Sequence, residues 1–177
     1  MKLGSCVFCL LIAWGSAHAQ RYTVEKSTVS FFREASVEDI AATNTKATGT
    51  LDPHSNELAF DVAVEEFQFK KSLMKQHFNE KYLESSTYPT ATFRGRISGF
   101  SESMTGEQRV KATGLLTIHG VSREVTLEGR CTSTGDGLKL TAKFLVRLED
   151  YKVRIPTLFW KTVAESVDVT VEFTLRR

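Results

Sequence analysis

The chain has 177 residues, and its 23 Lys and Arg nearly balance 21 Asp and Glu. Phosphate binding needs a concentrated basic surface, whereas here the cations alternate with acids as on an ordinary solvated surface, so nucleic acid is excluded as a partner. Of three cysteines, Cys6 and Cys9 fall in the N-terminal leader described next, so Cys131 has no internal disulfide partner and stability has to come from a core.

Residues 1–19 read as a secretory signal peptide: Lys2, an apolar run from Cys6 to Trp14, then Ala17-His18-Ala19 as an A-x-A cleavage site. The run is too short for a transmembrane helix of about 20 residues, so no transmembrane span is expected. Leu3-Gly4-Ser5-Cys6 resembles a lipoprotein box superficially, but too little apolar sequence precedes it. An exported protein follows, periplasmic or secreted, starting at Gln20. Losing a leader with one cation and no acid lowers the formal charge of +2 by a single unit. The stretch 20–177 contains no low-complexity linker and suits one domain.

Val29 and Phe31 belong to a first strand. Ser36 to Thr43 (SVEDIAAT), with a capping serine followed by acids, is expected to form a short helix. Ala47, Gly49 and Leu51 mark a short strand, and Leu58, Phe60, Val62 and Val64 alternate with polar or small neighbours after the turn at Asp52 to Asn56. Ser72 to Ser85 places Leu73, Met74, His77 and Phe78 at helical spacing, so an amphipathic helix is expected to cover one end of the fold. Four long period-two stretches follow Ala91–Ile97: Val110–Ile118, Val125–Cys131, Leu138–Leu148 and Val167–Leu175, separated by turn signals such as His119-Gly120. Eight one-faced strands close naturally into an antiparallel barrel.

Candidate chemistry is sparse. His77, Glu80 and Glu84 have a spacing that metals use, but further ligands are missing and His77 reads as a packing histidine. His119 and His54 sit in turns that backbone conformation explains. Cys131 continues an inward register and reads as a small buried hydrophobe. Glu149-Asp150-Tyr151 reads as a solvated loop. No nucleophile has a base in register, so no catalytic residue, metal or cofactor is assigned and no enzyme is expected. Leu158-Phe159-Trp160 is an apolar cluster in a loop, either a plug for the barrel or a contact surface.

The order of helix, Tyr88-Pro89, Ala91-Thr92-Phe93, Leu116-Thr117-Ile118-His119-Gly120-Val121 and Val125-Thr126-Leu127 resembles the YceI-like family, the polyisoprenoid-binding, lipocalin-like exported proteins. Its LMKQHFNEKYLES helix is similar to a Bacteroidetes-type variant, and the likeness runs from about Tyr22 to Leu175. The resemblance implies an all-β fold, an eight-stranded antiparallel lipocalin-like barrel with one or two short helices, holding an isoprenoid or similar amphiphile with a quinone-like tail. The inward residues then expected to bind the ligand are Phe31, Phe60, Val62, Phe93, Leu116, Ile118, Leu140, Phe144, Val171 and Phe173. Gly95, Gly114, Gly129 and Ala142 would leave room for it, in a cavity of roughly 300 Å³ or more. The alternative is a solidly packed barrel that acts as an interaction or structural protein through an apolar loop patch, with a homodimer among the outcomes.

Overall fold

The computed structural model describes residues 21–34, 39–154 and 166–177. Ten strands run β1 (Tyr22–Arg33), β2 (Ile40–Asn44), β3 (Thr48–Asp52), β4 (Glu57–Ala63), β5 (Gln68–Phe69), β6 (Thr90–Ser98), β7 (Glu107–Ile118), β8 (Val121–Ser133), β9 (Gly137–Arg147) and β10 (Ser166–Arg176). One α-helix, α1 (Ser72–His77), continues into a π-helical turn over Phe78–Tyr82.

The barrel is closed by eight antiparallel strands in the ring β1-β3-β4-β6-β7-β8-β9-β10, with β10 returning to β1. These are the eight strands that the alternation predicts, because each must bury one apolar face and a ring of strands turns all those faces inward. β3 pairs with β1 only at Tyr22 and Thr23, and β2 takes over the same flank from Val29 to Arg33. β5 then adds to β2.

The helix expected over Ser36 to Thr43 is not what forms. Residues 36–38 lie outside the described residues, but Ile40 to Thr43 belong to β2, with Ala42 opposite Phe31. Ala42 and Asn44 are buried while Ala41 and Thr43 are exposed, a period of two that pairing with β1 imposes over local helix propensity. The expected helix at Ser72 forms but changes to π spacing at Phe78, which turns Phe78 onto the ring of Phe31, 5.5 Å away.

The two ends differ. At the end where the chain starts, the Tyr22 hydroxyl donates to Glu102 Oε1 (2.8 Å) and the Arg177 guanidinium stacks 5.0 Å above the Tyr22 ring. The Gln108 amide fastens the β6–β7 connection through Ser101 N (2.8 Å) and O (3.0 Å). Leu51, Leu175 and Cys131 are fully buried just inside. The opposite end carries α1, the π turn and a 3-10 turn at Glu149–Tyr151. Leu158, Phe159 and Trp160 lie outside the described residues, so neither the plug nor the contact surface is visible.

Candidate functional site: the barrel cavity

An elongated cavity of about 290 Å³ runs along the barrel interior. It extends from Ile97 and Val110 to Tyr151 and Val153 beside the helix. All ten residues expected from the sequence stand on its wall: Phe31, Phe60, Val62, Phe93, Leu116, Ile118, Leu140, Phe144, Val171 and Phe173. Each comes from a strand whose polar neighbours alternate to the outside. Phe60 and Phe173 stack with centroids 4.4 Å apart and rings 8° from parallel. Gly49 makes room for this, since a Cβ there would lie 2.2 Å from the Phe60 ring.

The four small residues divide into two pairs. Gly129 and Ala142 line the cavity, whereas Gly95 and Gly114 do not. These last two face each other across β6 and β7, and a Cβ on Gly114 would meet the Gly95 Cα at 2.4 Å. They serve close strand approach rather than ligand space.

The helix end contributes wall residues that period-two reading of the strands did not supply. Phe67, Phe69 and Phe78 surround Phe31 at centroid distances of 5.3, 5.9 and 5.5 Å, within the range of favourable aromatic pairing. Leu83, Tyr151 and Val153 complete that end. The spacing Phe67-Gln68-Phe69 is the available signal, a two-residue alternation too short to read as a strand.

Polar groups stay at the periphery. His77 lines the cavity and meets Tyr82 edge to face at 6.5 Å. His119 and Gly120 both have positive φ, 51° and 71°, which makes the tight hairpin between β7 and β8. His119 Nδ1 donates to the Tyr151 carbonyl (3.3 Å), its ring stands edge-on to Tyr88 at 4.5 Å, and its buried Nε2 lies 3.8 Å from Glu84 Oε2. Burial, with the Asp150 charge second, raises the Tyr151 phenol above its ordinary value. Cys131 is fully buried in the core, and this burial pushes its thiol up to about 11. Among the described residues, no three His, Cys, Asp or Glu side chains converge as a metal site, and no helix is long and apolar enough to cross a membrane.

Comparison with known proteins agrees with this geometry. A polyisoprenoid binding domain from Saccharophagus degradans implicated in plant cell wall breakdown superposes with a TM-score of 0.78 at 14% identity, covering 88% of this chain and 97% of that one. Burkholderia cenocepacia BcnA gives 0.66 at 20% identity over 84% and 94%. The Campylobacter jejuni YCEI protein gives 0.58 at 14% identity over 100% and 93%. At these identities the likeness is one of fold. No curated protein matches in sequence. The family model described as YceI-like domain matches residues 21–175, nearly the whole described barrel, and the chain belongs to that family.

Proposed function

We propose that this protein is an exported carrier that holds the tail of an isoprenoid-type amphiphile, quinone-like in character, along the barrel axis. The observation that carries the reading is the cavity itself: an elongated, almost wholly apolar interior that the side chains leave unfilled. A barrel of about eight strands either fills its interior or holds one small ligand. The volume of about 290 Å³ sits at the lower bound of ligand pockets, about 300–1,000 Å³, and suits one slender tail better than a bulky ring system. Along most of its length such a wall is apolar and a buried charge would be costly to desolvate there, so a charged head group is expected to remain outside. The likeness to a polyisoprenoid binding domain supports the same ligand class.

Organic extraction of the protein purified from cells that make quinones, followed by mass spectrometry, tests the reading. A prenyl lipid near one equivalent is expected. Extracts without any stoichiometric lipid sink it and favour an interaction barrel.

A further inference from the structure

We propose that the apolar ligand enters and leaves sideways, through a window in the barrel wall between β8 and β9. The proposal rests on the carrier reading above, but the window is visible without it. β8 pairs with β7 along its whole length. Its pairing with β9 covers only Gly129–Ser133, against Ala142–Leu138. The rest of β9, from Lys143 to Arg147, pairs with β10. Among the described residues, Ser122 to Glu128 therefore have no ladder to β9, over a length of about 20 Å at ~3.3 Å per residue.

The strands part at Gly129 and Ala142, and both line the cavity. So do Arg130 and Thr141, which alternation turns to the outer layer; Arg130 pairs there with Glu107 at 3.1 Å. The cavity thus abuts the wall at the base of the window. Leu127 on one side and Phe144 and Val146 on the other are its apolar jambs. Leu145, on the outer lip, is 65% exposed, more than any other large hydrophobic described.

Among the described residues, two hydrogen-bonding side chains cross the top, beside Val121, which packs against the cluster of Val146, Tyr151 and Val153. Arg123, exposed although it stands opposite Leu116 in the β7–β8 register, donates from its Nε to the Asp150 carbonyl across the gap at 2.9 Å. His119 donates to Tyr151 beside it. Two single hydrogen bonds, one of them exposed, open more readily than a cooperative ladder. The alternative exits are better sealed. Leaving past the helix requires separating Phe31, Phe67, Phe69 and Phe78, whose rings lie 5.0 to 5.9 Å apart. Leaving at the other end requires breaking the Tyr22, Glu102 and Arg177 cluster.

The test uses N-phenyl-1-naphthylamine, a neutral apolar dye that reports cavity entry whatever the natural cargo. In a Cys6→Ser, Cys9→Ser background, Thr126→Cys and Leu145→Cys place outward thiols across the window, and bis-maleimidoethane bridges them. Cys131 is fully buried and does not compete. Bridging is expected to slow dye association and release at least ten-fold with the bound amount unchanged. Arg123→Gln, which lifts the bar and leaves the wall, is expected to speed both. Unchanged rates after bridging overturn the window, and no acceleration in Arg123→Gln removes Arg123 from it. Failure of the unbridged protein to take up dye also overturns the window, because an open route would admit it. Lipid extraction from the unaltered protein reads the carrier role separately, so either idea can fail alone.

Discussion

Ile118 and Thr117 stand on opposite faces of β7. Ile118 lines the cavity, while the Thr117 hydroxyl meets Ser122 outside at 2.8 Å. Ile118→Asp puts an unpaired carboxylate among apolar groups, at a cost of about 3 kcal/mol or more, which for a domain of this size lowers Tm by roughly 6–12 °C. Thr117→Asp should shift a thermal melt by no more than about 2 °C. Equal melts for the two would mean a wrong register. A second pair reads pH. Donation from Tyr22 holds the Glu102 carboxyl below its usual range, and burial followed by the Glu102 bond raises the Tyr22 phenol. The Glu102 contribution to stability is present above the ordinary carboxylate range near 4.3 and is lost as pH falls through the lowered value. The Tyr22 contribution is present below about 10 and is lost as pH rises through the raised value. Tyr22→Phe removes the Tyr22 contribution and the largest part of the Glu102 one, leaving the Arg177 partner of Glu102 in place, so the unfolding free energy from denaturant melts should fall by about 1 kcal/mol at neutral pH and vary less steeply on the acid and alkaline sides. A slope identical to that of the unaltered protein would contradict the assignment.

Among the elements, the eight ring strands and the helix starting at Ser72 were legible, whereas β2, β5 and the π turn were not. Val125, Leu127, Gly129 and Cys131 announce their face because they alternate with exposed Thr126, Glu128 and Arg130 along β8, whereas β5 has two residues and no pattern to show. Ser36 to Thr43 misled for a physical reason: capping residues report a local preference, and pairing of Ala42 with Phe31 and Phe69 outweighs it. The window escaped sequence reading because alternation shows a strand's faces and not how far its ladder to the next strand extends. The cap formed by α1 and its π turn hangs on Phe78, which touches Phe31, Phe67 and Phe69. Phe78→Ala should destabilise the protein by about 3 kcal/mol and, through the loosened cap, increase the rate of tryptic cleavage at Lys75 and Lys81. Unchanged cleavage would show that the cap is held elsewhere.

For the molecule as a whole, the fold followed from the count of one-faced strands, and the position of the cavity followed from which faces those were. What the sequence withheld was whether the interior is full, since Phe60, Phe93 and Phe173 suit a packed core as well as a lined one. The answer depends on where Gly49 and Gly129 sit relative to bulky neighbours across strands. Stability should concentrate where packing is complete. Leu175, fully buried, is expected to cost 2–5 kcal/mol on substitution by alanine, as a typical core leucine does, while Leu127→Ala on the open wall should cost less than half as much in urea melts. Comparable losses at the two sites would imply that the cavity wall is packed as tightly as the closed end.

The pairing of β1 with β10 joins the beginning of the barrel to its end, with Thr23 and Arg176 in contact across 153 positions. Apart from β5, which adds to β2, strands β3 to β9 pair in chain order, but the ring cannot shut until β10 arrives. Closing so long a loop is entropically costly and slows folding. Until then β1 and β9 each present a free edge, and in a crowded solution the nearest complement of such an edge is another copy of the same chain. Refolding yield should therefore fall with protein concentration well before equilibrium stability is affected. A chain truncated before Ser166 should populate an open sheet that aggregates, even though most of the residues that line the cavity are present.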